Sequence, residues 1–165
     1  SDMVCRVMMC HMTISPPPLL SANDTPPIRS DDDLQRHWQR LMGELGFGTR
    51  RLWITILDSR DRVLPTLPVI EDVPVVPNRP LAATMLDALA WTLEDDRSGW
   101  SAGILLTRPG ATIITRSDRS WARMLAEEAA TRSIQLRTTF LASDTAVRPI
   151  TGTDAWMQAT DRVAS

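Results

Sequence analysis

The feature that most constrains the fold is the run Gly103-Ile-Leu-Leu-Thr-Arg-Pro-Gly110, followed by a helical pattern opening near Asp118. An apolar run this short, closed by Pro and Gly, reads as a buried strand and a tight loop. Ser117 or Asp118 reads as the cap of a helix that carries Trp121, Met124, Leu125 and Ala129 inward at helical spacing. A strand, loop and helix N-terminus in this order form the junction at which open α/β folds collect ligands and catalytic groups. Here that junction carries no His, Cys or Glu.

The flanking pattern extends the same architecture. Asp31–Asp33 suit a helix start, and Leu34, Trp38, Leu41, Met42 and Leu45 recur at helical spacing up to the breakers Gly46 and Gly48. Arg51–Leu57 and Val63–Ile70 are β-rich and joined by Asp58-Ser-Arg-Asp61, which predicts a hairpin. Pro65 and Pro68 place the second strand at an edge. Asn78 and Pro80 open a helix carrying Leu81, Met85, Leu86, Leu89 and Leu93. Ser101–Thr107 is the central strand. Ile134–Ala142 and Ala146–Ile150 are further strands, and Asp154 caps a last helix to about Arg162. A hairpin followed by alternating helices and strands predicts an α/β fold, a mixed sheet flanked by helices.

A chain of 165 residues fits one domain. Residues 1–30 hold Pro16, Pro17, Pro18, Pro26 and Pro27 among small polar residues, the composition of a disordered tail, so the domain is expected over 31–165. The net charge of −2 does not advertise nucleic acid or an anionic membrane. All 18 basic residues are Arg, and Lys and Tyr are missing, which points to a GC-rich coding sequence. No apolar run reaches the ~20 residues of a membrane span, and no secretory leader is read in the apolar head. A cytoplasmic location follows as the expectation.

The central segment resembles the RadC-like branch of the JAB/MPN (JAMM) fold, with cytidine-deaminase-like layering. The likeness rests on Ile104-Leu-Leu-Thr-Arg-Pro-Gly110, on Thr115-Arg-Ser-Asp118, and on Trp121–Ala129, and it covers roughly residues 50–150. In the active family this region reads strand, His-x-His-Pro-Ser-Gly, then Ser-x-x-Asp opening a helix. With Pro109 on the motif proline, Leu106 and Arg108 stand at the two histidine positions, and the following loop is about one residue shorter than the family's spacing. Asp118 alone remains as a ligand of the family's type. Catalytic zinc takes three protein ligands and an open position, and a guanidinium stays protonated and repels the ion. The resemblance therefore implies a member without metal activity and without a cofactor. An actinobacterial protein group has a similar Arg-Pro-Gly and Asp-Arg-x-Trp-Ala pattern, a similarity that adds no activity.

Other residue groups were weighed against structural roles. Cys5, Cys10 and His11 are too few for a closed metal site. His37, between Leu34 and Leu41, lacks an identifiable acid or nucleophile and reads as a packing residue. Asp58 and Asp61 suit turn hydrogen bonding, and Asp95 and Asp96 a helix end on the surface. No nucleophile elbow or phosphate-cradling glycine loop occurs. Arg108, Arg116, Arg119 and Arg123 cluster around a helix N-terminus and form a candidate anion site. Trp91 lies off the apolar face of its helix and Trp100 beside Gly99, which makes them candidate protein contacts.

Three functions follow. The first is a non-catalytic RadC-like module that binds a protein partner or a second copy of itself, through Trp91 and Trp100 or the edge strand Val63–Ile70. The second is an anion or nucleic-acid binder using the Arg group. The third is a hydrolase with a site rebuilt around Asp118 and Arg108.

Overall fold

The computed structural model describes residues 12–15, 24–92 and 98–151. Its order is β1 (Met12–Ser15), α1 (Asp31–Met42), β2 (Arg51–Leu57), β3 (Leu67–Ile70), α2 (Arg79–Thr92), β4 (Ser101–Thr107), α3 (Arg116–Thr131), β5 (Gln135–Leu136), β6 (Phe140–Ala142) and β7 (Val147–Pro149). The strands form one mixed sheet in the order β1-β3-β2-β4-β6-β7, with β5 also paired to β4. β2 is antiparallel to both β3 and β4, whereas β4 is parallel to β5 and β6. The described residues thus form an α/β fold with an open mixed sheet flanked by three helices.

Strand alternation sorts the side chains into two cores. Leu52, Ile54 and Ile56 of β2 and Ala102, Ile104 and Leu106 of β4 pack with Met85, Leu86 and Leu89 of α2 and Trp121 and Leu125 of α3. On the opposite face Leu57, Leu105, Phe140 and Val147 pack with Leu34 and Trp38 of α1. β4 is buried along its whole length because both faces are covered. Gly103 is packed so closely that a Cβ there would lie 3.0 Å from Thr55 Cγ2 of β2 and 3.1 Å from Leu34 Cδ1 of α1. A side chain at 103 would therefore force its neighbours to shift.

Local chemistry sets the helix ends. Ser30 caps α1, and Asp33 returns the bond in a capping box. The helix ends at Met42, four residues before the expected stop at Gly46, because Gly43 takes φ 57° and its N–H bonds Gln39 O. In the β2–β3 turn Asp58 Oδ1 accepts from the N–H of Arg60 at 2.8 Å and of Arg62 at 2.9 Å. These backbone bonds hold the Asp58 carboxyl below its ordinary range.

Three expectations change. The second hairpin strand is shorter: Val63 forms an isolated bridge with Leu57, and the strand proper is Leu67–Ile70. It is also not an edge, because Met12–Ser15, from the segment expected as tail, pairs along it as β1. Pro68 is tolerated there because pairing with β2 involves only Val69 and Ile70. The single strand expected over Ile134–Ala142 divides into β5 and β6, separated by Arg137–Thr139, although Arg137 N–H still bonds Ala102 O at 2.8 Å. The helix expected from Asp154, together with Cys5, Cys10, His11, Asp95 and Asp96, falls outside the described residues. Among the described residues no helix is long and apolar enough to cross a membrane.

Candidate functional site

The loop between β4 and α3 leaves the sheet at the carboxyl end of β4, beside the parallel strand β6. Arg108 is its first residue and Asp118 closes it from the first turn of α3. Period-two alternation puts Leu106 and Arg108 on the same face as α3. Leu106 is buried in the core there, and Arg108, only 8% exposed, reaches across to Asp118.

The pair is closely matched. Arg108 Nε lies 3.1 Å from both carboxylate oxygens of Asp118, and Nη2 lies 2.9 Å from Oδ2. Nη2 also donates to Ile113 O at 2.7 Å, and Nη1 to Pro109 O at 3.2 Å and Ala111 O at 3.1 Å. A guanidinium has five N–H donors, and these acceptors occupy all five. Arg108 therefore works as the frame of its own loop: one cation folds three carbonyls of residues 109–113 around itself.

Asp118 is fully buried and equally committed. Oδ2 accepts from Thr115 N–H at 2.8 Å, and Thr115 Oγ1 accepts from Asp118 N–H at 3.2 Å, the reciprocal bonds of a capping box. Arg50 Nη1 approaches Oδ1 at 3.4 Å. Burial pushes the Asp118 carboxyl up, but the hydrogen bonds from Arg108 and Thr115 outweigh it and hold the group below the usual carboxylate range. Burial lowers the Arg50 guanidinium, and Asp118 pulls it partly back. The constellation is a carboxylate held by two guanidinia and a helix cap.

Neighbouring loops close over this frame. Asp144 accepts from Gly110 N–H at 2.7 Å and from Phe47 N–H at 3.2 Å. Thr112 bonds Thr145, and Ser117 Oγ bonds Val75 O. Trp121 Nε1 donates to Pro74 O at 3.0 Å, tying the segment before α2 to α3. Among the described residues no three of His, Cys, Asp and Glu come together in a way that would hold a metal ion.

The four arginines expected to cluster are distributed. Arg108 is inside the loop, and Arg116 is exposed on the first turn of α3. Arg119 and Arg123 share a face of α3 that borders a cleft of about 430 Å³ against the β5–β6 segment. The structure thus brings two of the four together and adds Arg137, which the sequence did not single out. Trp91 is 75% exposed at the end of α2, whereas Trp100 is half-buried against the core under α2 and α3. Val75, Val76 and Ile113 are the other large apolar side chains left in solvent among the described residues.

His37 is mostly buried beside Trp38 on α1. Burial, helped by the Arg40 charge, pushes its pKa down to about 4. Its Nε2 has no hydrogen-bond partner among the described residues.

Sequence reasoning missed Arg50, whose approach depends on where β2 begins relative to α3 and leaves no local signal. It also placed the cap of α3 at Ser117 or Asp118, whereas Thr115 is the N-cap and Asp118 the third helical residue. The spacing Thr115-x-x-Asp118 is the readable sign of that box. Searches of protein-family models and of curated proteins find no match to this chain.

Proposed function

We propose that this protein is a non-catalytic binding module, a degenerate relative of the RadC-like JAB/MPN fold, and that it acts by contacting a protein partner or a second copy of itself. One observation carries the reading: at the end of β4, where an active member of that family would hold its metal, all five donors of Arg108 are spent on Asp118 and on its own loop, and the Asp118 carboxylate is taken by Arg108, Arg50 and the Thr115 N–H. A general base or metal ligand needs a lone pair within reach of substrate, and Asp118 has no exposed surface. The mixed sheet with helices on both faces is compatible with such a relative.

The contact surface in this reading is the end of α2. Trp91 leaves three quarters of its area in water, and an exposed Trp is the residue type most enriched at binding hot spots. Trp100, half-buried against the core, is the second residue of this reading. Sedimentation velocity over a range of protein concentrations tests the self-association branch. The expected outcome is a concentration-dependent dimer that Trp91→Ala abolishes while leaving the fold intact. A monomer at all concentrations moves the reading to a foreign partner. Self-association unaffected by Trp91→Ala removes this surface from the account.

A further inference from the structure

The cleft between α3 and the β5–β6 segment has the chemistry of a ligand site. Its volume, about 430 Å³, falls within the range of about 300–1,000 Å³ usual for small-molecule pockets. Arg119 and Arg123 face it from one side of α3, with the small side chains of Ala122 and Ala126 lining the same wall. Arg137 and Thr139 face it from the opposite wall, and among the described residues no carboxylate lines it. Arg137 is fixed in place, since its Nε donates to Ser101 Oγ at 3.0 Å and its Nη2 bonds Asp61. Its Nη1 has no partner among the described residues.

We infer that this cleft binds a phosphate monoester of a small organic molecule, held by Arg123 and Arg137 with the Thr139 hydroxyl completing the shell. Guanidinium forks match phosphate oxygens bidentately, and several such groups converging suit a dianion with three acceptor oxygens better than a carboxylate with two. Ile150 supplies an apolar wall for the organic part. The small size of the cleft and the net charge of −2 favour a small molecule over a nucleic-acid backbone, which needs an extended basic track. This site is separate from the Arg108–Asp118 frame and stands independently of the partner-binding reading.

Isothermal titration with inorganic phosphate, phenyl phosphate and benzoate at constant ionic strength tests the inference. Phenyl phosphate should bind one per chain, more tightly than either other probe. Arg123→Ala should weaken it at least about tenfold, the loss of one charge-assisted contact. Ala126→Leu, on the same exposed helix face, should block it while preserving every charge. Arg36→Ala, on α1 across the sheet, should leave it unchanged. Absence of saturable binding, benzoate binding as well as phenyl phosphate, or an equal effect of Arg36→Ala would overturn the proposal. So would preferential binding of a single-stranded oligonucleotide with a steep salt dependence.

Discussion

Replacing Arg108 by Met should destabilise the chain more than any other single surface-loop change, for reasons the geometry spells out. Met fills the volume of the arginine stem but supplies no donor. Asp118, fully buried, would keep only Thr115 N–H at 2.8 Å and Arg50 at 3.4 Å. The carbonyls of Pro109, Ala111 and Ile113 would lose their shared partner. Removing one member of a buried ion pair costs about 3–5 kcal/mol, and the remaining contact with Arg50 places this case near the lower figure, about 3 kcal/mol. For a domain of this size that is a fall in Tm of about 6–12 °C. Adding Asp118→Asn to the Arg108→Met background removes the stranded charge while keeping the cap, so the double variant should lose less than the sum of the singles, by about 1–3 kcal/mol.

The pH dependence gives the same experiment a second reading. In the native chain the Asp118 carboxyl titrates below its ordinary value. Its contribution to stability is present above the unfolded-state value and is lost as pH falls through the lower folded one. Without Arg108, burial raises the carboxyl instead, so the charged form penalises folding at neutral pH and protonation relieves it. The deficit of Arg108→Met should therefore be largest at neutral pH and shrink on acidification. Urea and thermal denaturation followed by circular dichroism measure both effects. A Tm change under about 2 °C, or a deficit independent of pH, would refute the claim that this pair frames the loop.

Three further outcomes follow from the structure. Gly103→Ala should cost about 1–3 kcal/mol by overpacking, since the new methyl meets Thr55 and Leu34 at 3.0–3.3 Å, and Leu34→Val should restore part of it; unchanged urea denaturation would show that α1 packs less closely. Thr115→Ala should cost about 1 kcal/mol through loss of the α3 cap while Thr115→Ser costs little, as read by thermal melts. His37 should titrate near pH 4 by NMR. Because the unfolded chain takes up that proton nearer the ordinary 6.5, stability should fall as pH drops from about 6.5 towards 4, and a folded-state midpoint at the ordinary value would contradict the burial described.

The parts of the fold that were legible are those in which one periodicity dominates. β4 reads as a central strand from its short apolar run, and every residue from Ser101 to Thr107 is indeed buried; α3 reads from Trp121, Leu125 and Ala129. Long-range pairing was not legible. Nothing in Met12–Ser15 announces that it will lie along Leu67–Ile70, since that registration depends on the path of residues remote in sequence. The sequence marked the Arg108 position as hostile to a cation, and the geometry adds what occupies that place. The Arg group shows the limit of counting charges along a chain. Helical spacing placed Arg119 and Arg123 together correctly, but the fold turned Arg108 inward to Asp118 and brought Arg137 from another element to the same cleft. Trp91 was readable as off-phase on α2, whereas the half-burial of Trp100 depends on the packing of both helices against the sheet.

The claim that the β4–α3 loop is closed by a guanidinium–carboxylate frame, and so offers nothing to a catalytic cation, is tested most directly by zinc binding. Purified chain equilibrated with zinc, passed over a desalting column and assayed for metal should retain no stoichiometric ion that depends on Asp118. One zinc per chain, lost in Asp118→Asn, would contradict the account.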